Sequence, residues 1–177
     1  MHGTIKDKQG KSVSFQKSFI VHRGEYYLGA KAAPSFTGVN QSVTLRVKTV
    51  DVSGKPVAKS GITVVVNKVT WDSNKRQEVD GGYYNRPEQV LTPVITKRVS
   101  TNGSGDYSEK ITLKDPGEYQ ISAEGKDGKG NEIKSTSGLY VYGEGAVNVR
   151  PTNNATLELK ADKTDVKVGE KAKFIIQ

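Results

Sequence analysis

Trp71, Tyr83, Tyr84 and Arg86 are the residues of this 177-residue chain whose types and spacing come nearest to a binding surface. They lie in "WDSNKRQEVDGGYYNRPEQVLTP", residues 71–93, a stretch that is polar, turn-rich and aromatic. Three aromatic side chains with a guanidinium nearby could stack on sugar rings, and connections of this length are often functional. The competing account is structural: an elongated hairpin whose Trp71, Tyr83 and Tyr84 pack across its own strands. That account is favoured. The same stretch is the expected site of first proteolytic cleavage, between Asp72 and Pro87, because it carries Lys75 and Arg76 in a polar tip.

Other chemistry is excluded more firmly. The chain has no cysteine, which removes disulfides, thiolate zinc sites and thiol nucleophiles together. Its two histidines, His2 and His22, have no acidic neighbours at ligand spacing. "DSNKRQEVD" lacks the alternating oxygen ligands and the glycine of a calcium loop. No G-x-S-x-G is present, and neither histidine stands near a serine in any motif. No catalytic residue, metal site or cofactor is therefore expected. The net charge of +8 comes from lysines scattered singly, such as Lys11, Lys31, Lys48, Lys68 and Lys134. Without a stripe of alternating cations and aromatics, solvated strand faces are the better reading, and no nucleic-acid partner is expected. Asn40, Asn102 and Asn154 begin N-x-[ST] sequons, all in turn-like text, and chance accounts for them.

The elements that would position any site are strands. Val43, Leu45 and Val47 alternate with Thr44, Arg46 and Lys48; Tyr119, Ile121 and Ala123 alternate with Gln120, Ser122 and Glu124. Ile111 and Leu113 alternate likewise, and Val13, Phe15, Phe19 and Val21 keep one parity. Period two buries one face of an antiparallel sheet. The denser run "ITVVVN", from Ile62, suits a central strand, and no stretch holds helical spacing. Turns recur at sandwich spacing. Asp7, Asp51 and Asp127 each open a D-x-x-G phrase. Asn102 and Gly103 signal a hairpin, and Tyr119 after Pro116 and Gly117 suits a sandwich corner.

Two phrases recur. "DKQGKSVSFQKSFIV" from Asp7 overlays "DGKGNEIKSTSGLYV" from Asp127, 120 positions on. "VGEKAKFIIQ" from Val168 echoes "VNQSVTLRVK" from Val39. The chain therefore divides into the closing strands of one domain (1–24), a complete sandwich (25–146), a linker (147–156) and the opening strands of another (157–177). Phe15, Phe19, Val21, Phe174 and Ile176 in the outer pieces require cover, so self-association through these terminal strands is expected. The polar start carries no signal peptide, and no apolar run approaches the ~18 residues of a membrane span.

The order of "EYYLGAKAAP", "VDVSGKPV", "KVTW", "GGYYNR", "DPGEYQISAEGKDGKGNE", "LYVYG" and "LELKADKTDVKVGEKAKFIIQ" resembles the bacterial α2-macroglobulins over nearly the whole chain. The resemblance implies an all-β fold of serial macroglobulin-like domains, each a seven-stranded, antiparallel Ig/fibronectin-III-like β-sandwich, here with flanking partial domains. It implies that the intact parent is a broad peptidase trap outside the cytoplasm: periplasmic, surface-bound or secreted. A bait is cut, the molecule closes round the protease, and many members bond it through a Cys-Gln thioester. With no cysteine this chain holds no thioester, and its end at Gln177 resembles the approach to the bait-containing part. The implied role is a structural scaffold segment, not an enzyme and not inhibitory alone. Its partners would be the neighbouring domains, and proteases as targets of the intact parent. The alternative is an Ig-like repeat of a bacterial adhesin or carbohydrate-binding protein, since one sandwich serves many functions.

Overall fold

A computed structural model of the chain describes residues 2–77, 83–144, 159–161, 166–172 and 174–176, with 73–77, 83–86, 160, 175 and 176 described by backbone alone. In chain order the strands are β1 (His2–Lys6), β2 (Ser12–Gln16), β3 (Tyr26–Ala33), β4 (Phe36–Gly38), β5 (Ser42–Asp51) and β6 (Ile62–Gln77). There follow β7 (Tyr83–Val99), β8 (Asp106–Thr112), β9 (Gly117–Lys126), β10 (Glu132–Tyr142), β11 (Leu159–Ala161) and β12 (Phe174–Ile176). The fold is all-β; no helix of the described residues is long and apolar enough to cross a membrane.

Two sheets make the sandwich: β3-β5-β8, and β4-β10-β9-β6-β7. Seven long strands carry it, and the short β4 adds a parallel edge to β10. The alternation read in the sequence sets the inward faces. Val43, Leu45 and Val47 of one sheet meet Val64, Val66, Ile121 and Ala123 of the other in a single apolar cluster. β6 lies between β9 and β7, as its dense apolar run requires. At the corner before β9, the Tyr119 hydroxyl donates to the Asp115 carbonyl at 2.8 Å while its ring is buried.

The three D-x-x-G phrases fold identically, and Asn102 supplies a fourth. In each, the first residue's Oδ1 accepts from the backbone N–H two and four residues on: Gln9 and Lys11, Ser53 and Lys55, Ser104 and Asp106, Lys129 and Asn131, all at 2.8–3.0 Å. The fourth residue is a glycine at positive φ, from 70° at Gly105 to 86° at Gly10. At Gly105 a Cβ would also lie 2.2 Å from the Thr49 carbonyl oxygen, so glycine is required twice over.

The fourth turn corrects the sequence reading. Asn102 and Gly103 do not join a hairpin: β7 and β8 belong to different sheets. The turn is held to the end of β5, where Thr49 N–H donates to the Gly105 carbonyl at 2.8 Å and the Thr49 and Thr101 hydroxyls lie 2.7 Å apart. These bonds turn the chain across the sandwich, where a hairpin would have kept it in one sheet.

The outer strands repeat the sandwich's own pairing. β1 and β2 pair from His2↔Gln16 to Lys6↔Ser12, and β9 and β10 pair Ser122↔Thr136 and Lys126↔Glu132, each 120 positions on. β11 and β12 pair Leu159↔Ile176 and Ala161↔Phe174, which copies Ala30↔Val47 and Ala32↔Leu45. The expected strand through Phe19 and Val21 is not formed. β2 ends at Gln16, opposite His2. Phe15, Phe19, Val21 and Phe174 are all at least half exposed.

One turn does more than reverse the chain. Asp127 is buried, and its Oδ2 accepts from the Glu25 N–H at 3.1 Å and the Asn131 side-chain amide at 2.8 Å. Glu25 Oε2 in return accepts from the Gly128 N–H at 3.1 Å. This reciprocal clamp ties the start of the sandwich to the β9–β10 turn. The Asn131 amide above all, with the backbone N–H groups of Asn131, Glu25 and Lys129, holds the Asp127 carboxyl down at about 2.

Two outcomes are expected. Tyr119→Phe loses the corner hydrogen bond at the cost of about 1 kcal/mol, read as a lower urea midpoint at unchanged slope. The stabilisation from Asp127 is full above its unfolded value of ~3.9 and disappears as pH falls through about 2. Asp127→Asn keeps the turn, as Asn102 does, but lowers the melting temperature at pH 7 and flattens its fall between pH 4 and 2. An unchanged acid limb would remove Asp127 as its source.

Candidate functional site

The segment singled out by composition is a two-stranded arm. β6 pairs with β7 from Ile62↔Val99 to Gln77↔Tyr83, whereas β9 covers β6 only from Thr63 to Val69. Beyond that point β7 is the one neighbour of β6 among the described residues. A bulge aims the arm: Val66 pairs Ile95 and Asn67 pairs Pro93, leaving Val94 as the extra residue. Bulges bend and twist the strand that carries them. Pro93 lies beside the bulge on a strand that forms the sheet edge, the position where a missing N–H costs least.

The arm spreads the four candidate residues. Trp71 pairs Gln89, whereas Tyr84 pairs Arg76, Tyr83 pairs Gln77 and Arg86 pairs Asn74. Six residues separate the Trp71 row from the Tyr83 row, roughly 20 Å at about 3.3 Å per residue. The elongated hairpin is therefore present as backbone, while the packing of Tyr83, Tyr84 and Arg86 lies outside the described side chains. Residues 78–82, at the expected cleavage tip, lie outside the described residues, as does the sequon at Asn154. Asn40, at φ 60°, and Asn102 both sit in turns.

Among the described residues no group of three His, Asp or Glu side chains could hold a metal ion. His22 Nδ1 lies 2.7 Å from the Tyr27 hydroxyl, ring edge to face. Lys97, Glu109 and Tyr107 form a charged cluster that joins β7 to β8 across the rim of the sandwich. The Lys97 ammonium, then the Tyr107 hydroxyl, hold the Glu109 carboxyl below its usual range; the hydrogen bond to Glu109 pushes Tyr107 up to about 12. Lys97 shares the inward parity of Ile95 and Val99, so Glu109 serves to neutralise an inward cation. Two further ion pairs, Lys48 with Asp106 at 2.9 Å and Lys134 with Glu124 at 3.3 Å, are exposed cross-strand contacts worth little each.

A second feature had only a faint sequence signal. Ser35, Glu118, Gly138, Leu139, Tyr140 and Ala161 line a cleft between β10 and the end of β11. The Ser35 hydroxyl donates to the Ala161 carbonyl across it at 3.2 Å. The interior glycine of "STSGLYV" was the one hint: Gly138 sits in the middle of β10, where glycine weakens a strand and often marks close approach of another backbone.

Comparison with known proteins places this geometry. The family described as bacterial macroglobulin domain 6 matches residues 30–141. An α2-macroglobulin of Rickettsia conorii is 24% identical over 163 residues, covering 91% of this chain and 8% of the relative. An α2-macroglobulin homolog of Nostoc sp. is 26% identical over 174 residues, covering 98% of this chain and 9% of the relative. The chain thus spans less than a tenth of the length of the curated relatives it matches. Among solved structures, the native conformation of E. coli α2-macroglobulin aligns at TM-score 0.53 and 15% identity, over 98% of this chain and 12% of that one. Salmonella α2-macroglobulin reacted with methylamine aligns at TM-score 0.52 and 14% identity, over 98% and 11%. At such identities the structures speak for the fold alone, but the family match covers well over half of the sequence, and the chain belongs to the bacterial macroglobulin domain 6 family.

Proposed function

We propose that this chain is a scaffold segment of a bacterial α2-macroglobulin-like peptidase trap, and that it does not inhibit proteases alone. The observation that carries the reading is the repeated register at both ends: β1 and β2 copy β9 and β10, and β11 and β12 copy β3 and β5. That repetition supports a whole sandwich over 25–146, set between the closing strands of one like domain (1–24) and the opening strands of another (157–177), with a linker at 147–156. Such a segment contributes geometry. Proteases are targets of the intact parent, acting outside the cytoplasm, and with no cysteine here any thioester belongs to another part of it. The arm carrying Trp71, Tyr83, Tyr84 and Arg86 serves contacts with neighbouring domains; the ~20 Å spread of its aromatic rows speaks against one sugar-stacking platform.

The test is to incubate the chain with trypsin and a protein-sized substrate. The expected result is cleavage at the rate set by simple competition. Sustained protection of the substrate at stoichiometric amounts would overturn the scaffold reading. A glycan array provides the second arm: no reproducible binding is expected, and binding lost on Trp71→Ala would favour the adhesin reading instead.

A further inference from the structure

The outer face of the five-stranded sheet, which should be wet, contains buried residues. The register of β6 with β9 sets Val64 opposite Ala123 and Val66 opposite Ile121, all facing the core. Lys68, opposite Tyr119, keeps that inward parity, and its ammonium reaches Asp115 at the rim, 3.8 Å away. Asn67 and Val69 must therefore point outward. Yet they are only 7% and 2% exposed, and Val69 is no part of the core cluster. Trp71, two residues further along the same face, has its indole nitrogen buried.

The same face receives the chain that follows. Val69 pairs with Glu118 of β9, and Glu118 pairs with Tyr140 of β10. In that row Glu118 and Tyr140 line the cleft that holds Ala161 of β11, and the Ser35 hydroxyl bonds the Ala161 carbonyl there. Gly138 lines the cleft too. A Cβ at Gly138 would meet nothing within 4 Å, so the sandwich's own packing does not demand glycine. A small residue suffices there with β11 in place, whereas a large side chain would project into the cleft that Ala161 shares.

We propose that the outer face from Ser35, Gly138 and Tyr140 across Glu118 to Val69 and Trp71 is the docking seat of the segment beginning at β11, and so sets the angle between this sandwich and the next. The occupant is the following part of the same chain, whose first strand is already on the seat. Leu159, 63% exposed, and the partly exposed Leu91 of β7 offer further apolar surface beside Ala161. This inference is independent of whether the parent traps proteases.

The absence of native cysteine makes the test clean. Ser35→Cys and Ala161→Cys are combined in the full chain and oxidised at low protein concentration. The expected product is an internally crosslinked monomer. Adding Gly138→Tyr slows its formation roughly tenfold by lowering the local concentration of one thiol at the other. Gly138→Ala, whose Cβ meets nothing, leaves the rate unchanged and shows that substitution here does not unfold the sheet. Trp71→Ala slows it as well. Absence of a crosslink, or indifference to Gly138→Tyr, overturns the seat. Covalent dimers alone overturn the assignment of its occupant in favour of a second copy.

Discussion

The interlocking of two apolar faces governs this molecule. Leu45, Val66 and Ile121 are wholly buried, Val43 and Val64 nearly so, and they come from three strands of two different sheets. Each such side chain favours burial by roughly 1.5–3 kcal/mol, and none can achieve it within its own sheet. The two layers must therefore face each other about 10 Å apart with their strands roughly aligned. Everything else serves that contact. The chain crosses between sheets where Thr49 and Thr101 bind the crossing turn, and it neutralises an inward Lys97 with Glu109 at the open rim.

Edges show the same constraint from outside. β7 ends the larger sheet with Pro93 and a bulge at Val94, features that blunt pairing by another chain. β1, β2, β11 and β12 have one hydrogen-bonded strand neighbour each, and apolar residues on them, such as Phe15, Leu159 and Phe174, remain exposed. They have the register of sandwich strands.

The attachments of the outer pieces lie at opposite ends of the β9–β10 hairpin. Asp127 and Glu25 hold the incoming chain at its turn, while Glu118, Gly138 and Tyr140 meet β11 at its open end. The length of β9, ten residues or roughly 33 Å, separates the two. The incoming joint is charged and hydrogen-bonded, with each carboxylate serving the other's loop. The outgoing contact is a shallow face with a glycine at its centre.

The residues by themselves determined what depends on near neighbours in the chain. Alternation at Val43, Leu45 and Val47 or Tyr119, Ile121 and Ala123 set the inward faces, since a strand's side chains alternate whatever it pairs with. Asp and Gly three apart set three turns in advance, because the bonds are made within five residues. The 120-residue recurrence was visible because repeated strands repeat their pattern. What needs a distant partner was decided only by the tertiary structure. Asn102 looked like a hairpin, yet its turn crosses the sandwich because Thr49, more than fifty residues earlier, captures it. Phe19 and Val21 alternate correctly but form no strand, since pairing needs a neighbour to supply the hydrogen bonds. Val69 has the parity of a solvent-facing residue and is buried all the same. Periodicity says which way a side chain points; what stands in front of it is settled by parts of the chain far away in sequence.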